Sequence, residues 1–149
     1  QARPPFGASL RADLLFAQEV VAVCSPSLIV EDAPLNAAGL ARLTLLHDTH
    51  DLWPRYAEEA FGNAAKPARR LRFNQTTLSL DAALAGQGVA LASRFLVQRD
   101  LEAGRLVRPV SHVMAGGLDF YLLSPRQGVS SAGIIVRDWL CAVAKCEAG

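Results

Sequence analysis

Short apolar runs alternate along the chain with segments in which apolar residues recur at helical spacing. The run at 20–24 is rich in β-branched residues and stops at Ser25-Pro26, a pattern typical of a buried strand. Charged and apolar residues alternate at 69–73, as they do in a half-exposed strand. Further strands are predicted at 44–47, 88–92, 105–107 and 118–123.

Residues that start and stop helices separate these strands. The predicted caps are Ser25 with Pro26 at the first position, Asn36, Asp51, Asn74 or Thr76, and Ser93, and the predicted stops are Gly62, Gly86 and Gly104. Ile134, Ile135, Trp139, Leu140 and Val143 have the spacing of a closing amphipathic helix. Trp53 and Trp139 are predicted to pack into the core. Strands that alternate with helices of this length predict an α/β fold with a largely parallel sheet.

Composition narrows the class of protein. The 149 residues are 51% hydrophobic and 19% charged, which predicts a packed core in one domain or two small lobes. The net charge of +1 is too small to indicate a nucleic-acid-binding surface. No apolar run approaches the roughly 20 residues of a membrane span, and the N-terminus has no signal-peptide pattern. The three cysteines cannot all pair with one another, so we expect reduced thiols in a cytoplasmic protein.

The helix start at Thr76-Thr77 is the best candidate binding site. Free backbone N–H groups and the positive end of the helix dipole favour an anionic group there. A threonine hydroxyl supplies a donor that can rotate toward a carboxylate. The alternative is that Asn74 or Thr76 only caps the helix.

A second group of polar residues follows the strand that ends at His47. One hypothesis makes His47 a hydrogen-bonding group at the edge of a cleft, and another makes His47, His50 and Asp51 a metal site. The third hypothesis is that His47 only makes hydrogen bonds within a loop and has no binding role. No metal is predicted, because no third ligand stands at a helical spacing, and no cofactor is predicted.

Catalysis has little support in the sequence. Ser25, Ser93 and Ser124 lack a G-x-S-x-G setting, and Cys24 lies inside an apolar strand, where thiols are usually inert. The basic residues Lys66, Arg69, Arg70 and Arg72 are predicted to form a solvated surface. The chain is therefore not expected to be an enzyme.

An ordered series of short motifs resembles a known family. The motifs are Val23-Cys24-Ser25-Pro26, Thr44-Leu45-Leu46-His47, Gly86-Gln87-Gly88-Val89-Ala90-Leu91, Gly104-Arg105-Leu106-Val107-Arg108-Pro109 and Arg137-Asp138-Trp139-Leu140. In this order they resemble the effector-binding domain of LysR-type transcriptional regulators, in the branch of the glycine-cleavage activator and the β-lactamase regulator. The resemblance covers roughly residues 10 to 144.

The resemblance implies a fold like that of the periplasmic binding proteins, in which two α/β lobes are joined by two crossover strands around a cleft. Residues 25–115 would form a complete lobe II. Residues 1–24 would hold part of lobe I and the first crossover strand, and residues 116–149 the second crossover strand and the closing helix of lobe I. We therefore expect a fragment that lacks the winged helix-turn-helix and the first half of lobe I.

The resemblance also implies a function and its partners. A small anionic metabolite would bind in the cleft, in contact with Asn74, Thr76, Thr77, His47 and Phe120. The protein would self-associate as a dimer or tetramer and reach DNA only through its N-terminal domain, with no role at a membrane. Two alternatives remain: a solute-binding component of a transporter, which shares the fold, and a small α/β enzyme that uses Cys24 or His47.

Overall fold

The computed structural model describes residues 4–30, 34–62 and 69–147, and Lys66 lies outside them. The strands are β1 (Leu10–Phe16), β2 (Glu19–Val23), β3 (Thr44–His47), β4 (Arg69–Arg72), β5 (Val89–Ser93), β6 (Val113–Ala115) and β7 (Phe120–Pro125). The helices are α1 (Ala37–Ala41), α2 (Trp53–Phe61), α3 (Thr76–Leu84), α4 (Arg94–Glu102) and α5 (Ser131–Glu147), with a 3-10 turn at Pro26–Leu28. The chain divides into two compact units, Glu19–Met114 and Gln1–Gln18 with Ala115–Gly149.

The unit Glu19–Met114 is built on a five-stranded sheet in the order β4-β3-β5-β2-β6. β3 is parallel to both β4 and β5. β2, however, runs antiparallel to β5, with Val20 opposite Ser93 and Val23 opposite Ala90. The sheet is therefore mixed, and the prediction of a largely parallel sheet is wrong at β2. Periodicity identifies a strand but carries no information on the direction of its neighbour.

The core of this unit lies on both faces of the sheet. Alternate residues of β2 enter two clusters, with Val20 and Ala22 in one and Val21 and Val23 in the other. α1 and α2 cover the first face with Leu40, Trp53 and Tyr56, and α3 and α4 cover the second with Ala82, Ala83 and Val97. Burial on both faces explains why residues 20–23 of β2 are all apolar.

The helix ends agree with the predictions at some positions and differ at others. The Ser25 and Asn36 side chains accept hydrogen bonds from the backbone N–H groups of Ser27 and Gly39, as predicted. The capping prediction for Asp51 is wrong, because α2 has Leu52 at the N-cap position without a side-chain cap. The N-cap of α3 is Gln75, also without a side-chain cap, and not Asn74 or Thr76. Gly62, Gly86 and Gly104 follow helices with positive φ, as predicted for stops.

The second unit contains an antiparallel ribbon of β1 and β7 and the helix α5, which packs against β1. Trp139 is 62% exposed and Ile135 is 69% exposed, so the prediction that Trp139 belongs to the core is wrong. A helix on a two-stranded ribbon buries only one stripe of its surface. Trp53 is buried, as predicted.

Two predicted strands are also shorter or displaced. Residues 105–107 contribute only a single bridge, between Val107 and Cys24, and the strand predicted at 118–123 begins at Phe120. Among the described residues, no helix combines the length and the apolar character needed to cross a bilayer.

Candidate functional site

Polar side chains gather where β3 and β4 end. The two strands are parallel and His47 lies opposite Arg72, so their carboxyl ends reach the same edge of the sheet. The backbone N–H of Phe73 donates to the His47 carbonyl at 2.8 Å and extends this pairing. We call the side chains that meet there the β3-edge cluster: His47, Asp48, Asp51, Arg72 and Thr76.

His47 is the buried member of the β3-edge cluster. Its residue surface is 2% exposed, and its Nδ1 lies 2.7 Å from Asp51 Oδ1. Its Nε2 is buried and has no hydrogen-bond partner among the described residues. The ring lies 6.5 Å from that of Trp53, centroid to centroid. His47 is therefore packed against α2 and oriented by a carboxylate.

Asp51 joins the ends of β3 and β4. Its Oδ2 accepts a hydrogen bond from Arg72 Nη2 at 3.1 Å, while Oδ1 faces His47. The hydrogen bond with His47 and the nearby Arg72 guanidinium lower the pKa of Asp51. Asp51 also has φ of 47°, a left-handed conformation that aspartate tolerates better than most residues. These contacts explain why Asp51 does not cap α2.

The histidines and carboxylates of this edge do not form a metal-binding group. Among the described residues, no three His, Cys, Asp or Glu side chains are placed to hold an ion together. Asp51 is already engaged by His47 and Arg72, and the His50 backbone N–H is held by Asp48 at 3.0 Å. The hypothesis of a site formed by His47, His50 and Asp51 is not supported by this arrangement.

Thr76 begins α3 and is joined to Asp48. Thr76 Oγ1 donates to Asp48 Oδ2 at 2.5 Å, and the Thr76 carbonyl accepts from Ser79 Oγ at 2.7 Å. Because α3 has no side-chain cap, its first-turn N–H groups are not satisfied from the N-cap side chain. The helix start thus combines free backbone donors with a neighbouring carboxylate.

Asp48 is the residue that the sequence reasoning missed. It follows β3 directly at the carboxyl edge of the sheet, which is where open α/β sheets bind ligands. That position was a usable signal, because the same reasoning singled out His47.

The predicted site residues fall in both compact units. Asn74, Thr76, Thr77 and His47 belong to Glu19–Met114, where Asn74 and Thr77 are exposed and Thr76 is half-buried. Phe120 belongs to the other unit. It is half-buried, and its ring lies 4.5 Å from that of Phe16, centroid to centroid.

The thiol of Cys24 is fully buried between strand neighbours, and this burial raises its pKa to about 11. At pH 8 the thiolate fraction is then roughly a hundredfold smaller than that of an ordinary protein thiol. We expect Cys24 to be protected from Ellman's reagent in the folded chain and the half-buried Cys141 to react before it. Mass mapping of the labelled peptides at pH 8 measures this order. A fast reaction at Cys24 would contradict it and would favour an enzyme.

The comparison with protein families identifies the class. The family described as LysR substrate binding domain matches residues 2–141. The chain therefore belongs to this family.

Particular relatives narrow the branch. The chain is 36% identical over 141 residues to the glycine cleavage system transcriptional activator of Escherichia coli (strain K12), covering 93% of this chain and 46% of that protein. It thus spans about half the length of this curated relative. The effector domain of the regulator AmpR of Pseudomonas aeruginosa has a similar structure, with a TM-score of 0.73 and 27% identity over 96% of this chain and 69% of that one.

A third similarity concerns the fold alone. The full-length regulator LysG from Corynebacterium glutamicum, solved with bound effector Arg, matches with a TM-score of 0.65 and 18% identity. This match covers 97% of the present chain and 49% of that one. These relatives are transcriptional regulators and not enzymes.

Proposed function

We propose that this chain senses a small-molecule effector for a LysR-type transcriptional regulator. The observation that carries the proposal is the match of residues 2–141 to the LysR substrate binding domain. The solved AmpR domain in the same structural class is named an effector domain. A transporter component is not favoured, because the curated relatives are regulators.

The effector is proposed to be a small metabolite with an anionic group that is held at the start of α3. Its carboxylate would accept hydrogen bonds from the backbone N–H groups of the first turn. Asn74, Thr76 and Thr77 stand at this helix start, and His47 lies at the same sheet edge. Phe120 remains a predicted contact from the other unit.

Asp48 adds a requirement that the helix start alone would not impose. Its carboxylate accepts a hydrogen bond from the Thr76 hydroxyl, and its negative charge would repel a ligand that presents only negative charge there. An amino group on the ligand would offset this repulsion by donating to Asp48. The arrangement therefore favours a zwitterion of the amino-acid class, a class represented among similar folds by LysG with its bound effector Arg.

The remaining parts of the proposal concern the whole regulator. Residues 25–115 are proposed to be lobe II, which the compactness of Glu19–Met114 supports. The near-neutral charge of the chain fits a domain that leaves DNA contact to a separate domain. Pairs of half-sites on DNA require at least a dimer, and DNA binding places the regulator in the cytoplasm. The effector would act through its differential affinity for two arrangements of the regulator, typically about 1–3 kcal/mol.

Titration calorimetry with the free amino acids, one at a time, tests the ligand and the site together. We expect one or a few of them to bind, and Thr76→Val to weaken that binding by about tenfold, since a hydrogen bond at the site and the position of Asp48 are both lost. Thr49→Val is the matched control, because Thr49 is an exposed threonine outside α3. Equal affinity in Thr76→Val and the unchanged chain would rule out this site, and the absence of binding by any amino acid would rule out the ligand class.

A further inference from the structure

An open pocket of about 440 Å³ lies wholly within the unit that contains β1, β7 and α5. Its lining residues are Arg11, Pro125, Arg126, Gly128, Val129, Ile134 and Arg137. Every charged residue among them is an arginine, and none of the lining residues is acidic. The volume falls within the range of pockets that hold small molecules.

The three guanidinium groups come from three different elements. Arg11 lies on β1, Arg126 directly follows β7, and Arg137 lies two turns into α5. Arg126 Nε donates to the Leu10 carbonyl at 3.0 Å, which fixes this side chain across the ribbon. No acidic partner is recorded for Arg126 among the described residues.

The other two arginines are paired but keep donors for a ligand. Arg11 uses Nε and Nη2 on Asp13, and Arg137 uses Nε and Nη2 on Asp138. A guanidinium group carries five N–H donors, so the Nη1 group of each remains outside these ion pairs. The two carboxylates orient their arginines without lining the pocket themselves.

A buried hydroxyl lies next to the pocket in the chain: Ser124 precedes the lining residue Pro125 but does not itself line the pocket. Ser124 lies directly opposite Arg11 in the β1–β7 register, and opposed residues of an antiparallel pair project to the same face. Ser124 Oγ is buried and has no hydrogen-bond partner among the described residues. Buried polar groups without a partner are rare, because the lost hydration is not replaced.

We propose that this pocket binds a small organic anion, with its carboxylate or phosphate group between the three arginines and a short apolar body against Pro125, Val129 and Ile134. Planar guanidinium groups match both kinds of anion through paired N–H donors. The pocket would give the domain a second ligand site, and its ligand would differ in charge from the zwitterion proposed at α3, because none of the residues that line the pocket is acidic.

Two titrations of the whole 149-residue chain test the proposal and separate the two anion sources. Inorganic phosphate and sodium butanoate are each added at constant ionic strength, with sodium chloride as the reference. We expect saturable changes in the backbone amide NMR signals of Gly128, Val129 and Ile134 with at least one of the two anions. A response to phosphate alone identifies a phosphate ligand, a response to butanoate alone identifies a carboxylate, and a response to both supports the shared chemistry.

Matched variants then test whether the Arg126 guanidinium group contributes to the binding of the anion. Arg126→Gln should weaken the binding by about tenfold, because a charge-assisted hydrogen bond is lost. Arg99→Gln removes an exposed arginine of α4 and should leave the affinity unchanged, as should Thr76→Val. The proposal is overturned if neither anion shifts these signals beyond chloride, or if Arg99→Gln weakens binding as much as Arg126→Gln. The signals of the unchanged chain decide the first point even if a variant fails to fold, and the result is independent of the site at α3.

Discussion

Gly88→Ala is expected to prevent stable folding of the unit Glu19–Met114. Gly88 is buried just before β5. A β-carbon at this position would overlap the backbone carbonyl oxygen of Thr44 and would lie 3.0 Å from Leu46 Cδ2. The carbonyl belongs to β3, which is hydrogen-bonded to β5, so it cannot move without opening the sheet. Overpacking costs about 1–3 kcal/mol and occasionally more. A clash with a backbone atom that cannot move belongs at the upper end of this range, which is a large share of a small domain's stability.

Urea unfolding followed by circular dichroism measures the effect. Gly7→Ala is the matched control, because nothing lies within 4 Å of a β-carbon added at Gly7, and it should leave the midpoint unchanged. Gly104→Ala should fall between the two, since Gly104 also has open space but has φ of +68°. A midpoint for Gly88→Ala equal to that of Gly7→Ala would contradict the packing of β5 against β3.

Tyr56→Ala is expected to be the most damaging truncation on the α2 face of the sheet. Tyr56 is fully buried, and its ring packs edge-on against those of Trp53 and His112, at centroid distances of 5.6 and 5.2 Å. Removing a large buried aromatic side chain costs about 3–5 kcal/mol, because the cavity is only partly refilled. The same unfolding experiment should therefore show a much lower midpoint.

Tyr56→Phe measures the contribution of the Tyr56 hydroxyl to stability separately from that of the ring. The Tyr56 hydroxyl donates to the His112 carbonyl at 2.9 Å, and burial raises its pKa to about 12, so it remains a donor throughout the neutral range. We expect Tyr56→Phe to cost only about 1 kcal/mol. If the two variants were equally destabilised, the hydrogen bond rather than the aromatic packing would be the main contribution of Tyr56.

The elements that the sequence alone predicts are those that depend on residues close together in the chain. The β-branched run of β2 and the caps at Ser25 and Asn36 depend on neighbours in the sequence. The direction of β2 against β5 was missed because it depends on how the chain returns to the sheet. The exposure of Trp139 was missed for a similar reason, since it depends on which surface α5 meets.

At the candidate site the errors share one physical origin. Asp51 and Thr76 have the side chains of good helix caps, yet each bonds to a partner brought in by the fold: Arg72 for Asp51, in addition to the nearby His47, and Asp48 for Thr76. Tertiary hydrogen bonds thus displaced the local ones. The residue types at the edge of β3 were predictable, but their pairing required the register of β3 with β4.

The adjacency of β2 and β6 has a consequence for how such regulators diversify. The chain enters the unit Glu19–Met114 on β2 and leaves it on β6, and these strands are neighbours in the sheet. The pairing continues at the boundary, where the Gly116 N–H donates to the Gln18 carbonyl at 2.7 Å. When the two ends of a compact unit lie side by side, the whole unit can be exchanged between related proteins, and only its two connections to the rest of the chain must be compatible.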